Sequence, residues 1–131
     1  MVERSEVEIV TAWLAAVNAG DADAALALTS ADVTIVGPRG TSRGHDVLRA
    51  WLGNAGATFA TRAAYARATA VVVTQHGVWR DEAGAVRGEA DVATRFRVEE
   101  GRVAELARYE DVAEALRTAG MAETDRVPLP N

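Results

Sequence analysis

Two stretches of this chain set polar, chemically capable side chains among apolar ones. In VVVTQHGVWR, residues 71–80, Gln75 and His76 interrupt a run of valines, with a further valine and a tryptophan behind them. Histidine titrates near neutral pH, so His76 could act as a general base or as a ligand contact. The plainer alternative is a strand histidine that faces water or bonds to a neighbour. In RVAELARY, residues 102–109, Arg108 shares strand parity with Ala104 and Leu106, while Val103, Glu105, Ala107 and Tyr109 take the other face. A guanidinium there could hold an acidic oxygen through charge-assisted hydrogen bonds. It could equally let its charge escape to water along an apolar stem.

Composition narrows the chemistry. The 131 residues are 49% hydrophobic and 25% charged, as in an ordinary globular chain long enough to bury a core. A net charge of -5 disfavours a nucleic-acid partner, which calls for basic stripes. It disfavours an anionic membrane surface for the same reason. With no cysteine there is no thiolate chemistry, disulfide framework or cysteine-held zinc. Two histidines, His45 and His76, are too few for a histidine metal site without carboxylates, so no metal is expected. GPRG, residues 37–40, lacks the lysine and the spacing of a phosphate-binding loop, and no cofactor motif appears. The opening MVERSEVEIV is charged from its third residue, unlike a secretory leader. No stretch reaches the ~20 apolar residues that span a bilayer. The expected location is cytoplasmic.

The elements that must position these groups follow from pattern. Ser5 and Glu8 have capping-box spacing, and Ile9, Val10, Trp13, Leu14 and Val17 then recur at helical intervals up to Asn18. Asp21 caps a second short helix, Ala22 to Thr29. ADVTIV, residues 31–36, reads as a strand, and the glycine-rich GPRGTSRG that follows reads as a loop. Val47, Leu48, Trp51 and Leu52 mark a third helix, stopped by Gly53. The alanine-rich residues 57–70 favour helix by propensity, yet they lack a helical stripe and precede strong strand signals, so most of them read as a strand. Three more strands follow: 71–79, 86–98 and 103–109. On the second of these, Ala90, Val92, Thr94, Phe96 and Val98 line one face, and Glu89, Asp91, Arg95 and Arg97 the other. Asp111 and Glu114 open a closing helix. Residues 1–121 form one domain in this reading, and 122–131, with two prolines, a loose tail. Helices gather early and strands late, which predicts an α+β fold with a mostly antiparallel sheet that curves around the N-terminal helices.

This order resembles the SnoaL-like branch of the nuclear transport factor 2-like superfamily. The resemblance rests on VTAWLAAVNAGDADAALALTSADVTIVGPRG, GHDVLRAWL and ATRFRVEEGRVAELARYEDVAEALRTAGM, and runs from Val7 to Met121. It implies a cone of curved sheet with helices across its mouth, often as a homodimer. Members include isomerases, epoxide hydrolases, polyketide cyclases, dehydratases and non-catalytic modules, and fold alone cannot choose among them. Family isomerases carry a carboxylate on the chain leading into the third helix. Here Thr34, Ile35 and Val36 stand there, and Asp32, the nearest acid, is expected to face water. The Asp–Arg–Asp set of limonene-type epoxide hydrolases falls on His76, Val78 and Arg108, so both carboxylates are missing.

The resemblance also points Thr74, His76 and Val78 into the cone, with Gln75 and Trp79 away from it. His76 and Arg108 would then form the polar end of an apolar pocket, walled by Thr34, Val36, Val78, Trp13 and Trp51, with His76 the candidate catalytic group. Arg108 would keep His76 mainly neutral when the pocket is empty. The expected ligand is a small hydrophobic molecule carrying a carboxylate, enolate or carbonyl, either bound or converted by acid–base chemistry. The rival is a non-catalytic module whose outer sheet face docks a partner or a second copy.

Overall fold

The caps that the sequence offers are used. In the computed structural model, which describes residues 5–37, 40–53 and 57–128 (backbone alone at 51–53 and 57), Ser5 accepts from the Glu8 amide at 3.2 Å and starts α1, Glu6–Asn18. Asp21 accepts from the Ala24 amide and starts α2, Ala22–Ala27. The third helix, α3, covers His45–Gly53. Asp111 accepts from the Ala113 amide and starts α4, Val112–Thr118. Each cap satisfies an amide that the first helical turn leaves without a partner.

The strands are β1 (Thr29–Gly37), β2 (Gly40–Arg43), β3 (Ala57–Arg67), β4 (Ala70–Arg80), β5 (Val86–Glu99), β6 (Arg102–Tyr109) and β7 (Arg126–Val127). They form one sheet in the order β2-β1-β6-β5-β4-β3-β7. Only the β1–β6 pair is parallel. The fold is thus α+β with a mostly antiparallel, open sheet, as the pattern predicts. Among the described residues no helix is long and apolar enough to cross a membrane.

Both sheet faces are covered, unequally. The inner face lies under α1–α3: Val10, Trp13 and Leu14 pack with Leu26, Leu48, Val33, Ile35, Val71, Val73, Phe96 and Leu106. The outer face carries α4, where Ala115, Leu116 and Met121 meet Ala63, Tyr65, Val72 and Ala93.

Three expectations change. Residues 40–43, read as part of a loop, pair antiparallel with β1 as β2, which satisfies an otherwise free edge of β1. The segment read as a loose tail is held at its described residues, 122–128. Tyr65 Oη donates to the Glu123 carboxylate at 3.1 Å, and β7 pairs with β3. The second helix ends at Ala27, because Thr29 already belongs to β1. The alanine-rich segment is β3, as read. A bulge between Thr61 and Ala63 inserts Arg62 and switches which side of β3 faces inward.

Candidate functional site

The inner wall of β4 decides the site. Val71 and Val73 belong to the inner cluster, so Gln75, Gly77 and Trp79 share their face by alternation. Gln75 is 2% exposed, and its Oε1 accepts from Thr94 Oγ1 at 3.2 Å. Its Nε2 is buried with no hydrogen-bond partner among the described residues. Buried amide donors are rarely left so, because the lost hydration is not replaced.

Next along the wall, Gly77 makes room for two rings. A Cβ at this position would lie 2.9 Å from both Phe59 Cε1 and Trp79 Cη2. The rings of Phe59 and Trp79 meet edge to face, 5.9 Å apart at 88°. Phe59 is held from α1 by Asn18, whose Nδ2 donates to the Phe59 carbonyl and whose Oδ1 accepts from its amide, both at 2.9 Å. Over the Phe59 ring sits Arg108, its Cζ 4.7 Å from the centroid, a cation on an aromatic face. Burial pushes the Arg108 guanidinium below its ordinary value. That value is high enough for the charge to persist near neutral pH. Behind these groups, Trp13 meets Phe96 edge to face at 5.3 Å and donates from Nε1 to Thr29 Oγ1 at 3.0 Å. The wall therefore combines aromatic and aliphatic surface with an amide and a guanidinium, both donors.

The positions expected for the site divide between the two faces. Arg108 and Trp13 lie on the inner side. His76 does not. It shares the outer face with Thr74 and Val78, so the parity expected for β4 is reversed. Its Nδ1 bonds Asp91 Oδ1 at 2.9 Å and its Nε2 bonds Glu89 Oε1 at 3.0 Å. Those bonds, Glu89's first and Asp91's next, raise its pKa. The expectation of a mainly neutral His76, depressed by Arg108, is overturned because the two side chains stand on opposite faces. Around it is an outer cleft of about 480 Å³, lined by Arg62, Thr74, His76, Asp91 and Val112 and reached also by Gln75 and Val92.

Thr34 and Val36 alternate with buried Val33 and Ile35, so they too face outward. Val36 lines a second cleft of about 430 Å³ with Tyr109, Glu110 and Glu114, and this cleft also reaches Arg108. The Trp51 side chain lies outside the described residues. Asp32, as expected, faces water, 81% exposed and 3.8 Å from Arg43. With the β4 parity corrected, Gln75 and Gly77 replace His76 and Val78 on the inner face, and again neither is a carboxylate. Sequence reasoning thus missed Gln75, Gly77, Phe59 and Trp79. The valine run, apolar at both parities, offered no signal that would have found Gln75.

This architecture is shared with solved NTF2-like and cystatin-like structures. An NTF2-like protein of unknown function from Burkholderia pseudomallei matches with a TM-score of 0.72 at 21% identity, covering 87% of this chain and 97% of that one. TerC, co-crystallised with polyporic acid, matches with a TM-score of 0.71 at 20% identity, covering 83% and 93%. A candidate polyketide cyclase from Xanthomonas campestris pv. campestris matches with a TM-score of 0.67 at 23% identity, covering 83% and 92%. At such identities the likeness concerns the fold. No curated protein matches the chain significantly. Residues 10–106 match the SnoaL-like domain, and the chain belongs to that family.

Proposed function

We propose that the inner wall binds a small, largely apolar molecule through an acidic or carbonyl oxygen. The observation that carries this reading is the Gln75 Nε2, a buried donor without a hydrogen-bond partner among the described residues, on a wall built mostly of aromatic and aliphatic groups. An oxygen of a ligand would satisfy it, and Arg108 on the same wall favours an oxygen that bears negative charge. Pockets of this composition, apolar with a few fixed polar groups, suit small organic molecules. The likeness to a structure holding polyporic acid agrees with an acidic ligand. Donors aimed at an oxygen also stabilise an enolate, the charge that develops in cyclisation or isomerisation. The imidazole expected to move the proton stands on the other face. Binding is therefore the function the geometry supports best.

Titration with polyporic acid and with benzoate, followed by tryptophan fluorescence, tests it. Arg108→Ala should weaken binding roughly ten- to a hundredfold, the value of a charge-assisted bond. Gln75→Leu should weaken it less. If neither acid perturbs the Gln75 side-chain amide in NMR spectra, the reading is wrong.

A homodimer through the outer face is the accompanying proposal. Beside α4 that face exposes Arg62, Glu89 and Asp91, whose opposite charges can pair across a twofold axis. A monomer by light scattering at micromolar concentration would remove it.

A further inference from the structure

We propose that His76 is a positioning residue for the inner wall: bridged to Glu89 and Asp91 on the outer face, it ties β4 to β5 directly behind Phe59 and Trp79. The inference rests on the inner wall being the ligand site, and it concerns what holds that wall in shape.

The register shows where the tie is needed. His76 faces Asp91 and Val78 faces Glu89, so the bridge embraces the Gly77–Ala90 pair between them. That pair points inward and offers only a methyl group to cross-strand packing. Side-chain pairs across a sheet are a main source of its cohesion, and a glycine in a strand weakens it. Gly77 is nonetheless required, because any Cβ there would strike Phe59 and Trp79. The room made for the two rings thus costs the hairpin its grip at this point. Beyond the pair, residues 80–87 are all exposed, so no core holds the far end of the hairpin. The His76 bridge supplies on the outer face the tie that the inner face gives up.

The tie depends on the charge of the ring. Glu89 and Asp91 face His76 from β5, Arg62 reaches the same cleft from β3, and Val112 is the residue α4 presents there. Only a doubly protonated ring can donate to both carboxylates at once. The neutral ring keeps one N–H and drops one bond. The bonds to Glu89 and then Asp91 raise the ring's pKa and outweigh the opposing loss of hydration. The bridge is therefore complete below the ordinary histidine pKa, and it weakens as pH rises through the raised value. Ligand affinity at the inner wall should fall over the same interval. By reciprocity, ligand should raise the His76 pKa by the same factor.

Two variants separate this role from simple stability. His76→Lys keeps a positive charge with several donors throughout the window. His76→Gln keeps a donor but cannot titrate. In unliganded protein, we would follow the Trp79 indole N–H and the exchange protection of the Gly88 and Trp79 amides, corrected for intrinsic rates, from about pH 6 to 8.5. Protection should fall with the His76 titration in the parent, stay high in His76→Lys and stay low in His76→Gln. Benzoate, ionised throughout, should bind roughly fivefold more weakly to the parent at the upper end, a modest degree of coupling. Its affinity should not vary with pH in either variant. Equal protection in the parent and both variants at every pH would overturn the proposal. If protection follows the pattern and benzoate binds at no pH, the positioning role stands and the reading of the inner wall as an acid site falls.

Discussion

On β4, Val73, Gln75 and Gly77 look toward the N-terminal helices, while Val72, Thr74 and His76 look the other way, the first toward α4 and the other two toward an open cleft. The inner residues meet a large apolar cluster, where Gln75 Oε1 accepts from Thr94 and Gln75 Nε2 has no hydrogen-bond partner among the described residues. The outer residues meet a smaller cluster edged by ion pairs: His76 with Glu89 and Asp91, Arg95 with Glu105 at 2.9 Å, and Arg97 with Glu99. The same backbone thus holds a dry wall and a charged one, a side chain's thickness apart. On the dry side the Gln75 amide points to a ligand, whereas on the charged side the His76 bridge to Glu89 and Asp91 points to a structural tie.

The contrast can be broken first through packing. Phe96→Ala, inside the inner cluster at 0% exposure, should cost about 3–5 kcal/mol, whereas Leu116→Ala on the outer side should cost about 2. Urea denaturation of both measures this, and equal losses would mean that the two clusters share the load. Gly77→Ala should cost about 1–3 kcal/mol, because the methyl group meets two rings that are themselves held in place. Trp79 fluorescence should shift with it; an unchanged melt would show that the rings can yield.

The polar pair sharpens the comparison by sign. Thr94→Val removes the donor to Gln75 Oε1 and should destabilise by about 1–3 kcal/mol. Gln75→Met in the Thr94→Val background removes the donor that has no partner among the described residues together with the orphaned acceptor, so stability should recover by up to about 1 kcal/mol while ligand binding weakens. A further clear loss of stability in the double variant would mean that the amide is already satisfied. Smallest of all, His76→Gln should lower stability at pH 6 and progressively less as pH rises. The native pKa lies above the unfolded one, so the parent's advantage is present below the unfolded value and fades through the native one. Thermal melts across pH would show a constant gap if the ring did not titrate.

The sequence made some of this legible and hid the rest for physical reasons. Caps are local, and Ser5, Asp21 and Asp111 act where their spacing placed them. Arg108 lies on the face of β6 that the resemblance implied, the one that carries Leu106 of the inner cluster. Parity on β4 could not be read the same way. Val71, Val72 and Val73 are all buried, since α4 covers the outer face there, and a run buried on both sides loses the alternation that would orient Gln75 and His76. The resemblance supplied a register that was off by one, and in a strand that error exchanges the faces. On β3, the Arg62 bulge defeats any strict alternation. The pairing of β7 depends on an edge of β3 far away in the chain.

One parallel pairing governs how such a molecule comes into being. Strand β1 finds its partner in β6, over half the chain away, whereas β3 to β6 join neighbour to neighbour. Nearby partners meet quickly, and distant ones wait on the closing of a long loop. During synthesis the N-terminal helices emerge first, with Ile9, Val10, Trp13 and Leu14 bare and no sheet beneath them. The later strands can assemble among themselves, and the early part of the chain then docks onto a finished wall. A ribosome that stops short of residue 102 therefore releases no smaller version of this fold: β3, β4 and β5 can pair, but β1 and the N-terminal helices lack the strand that would receive them.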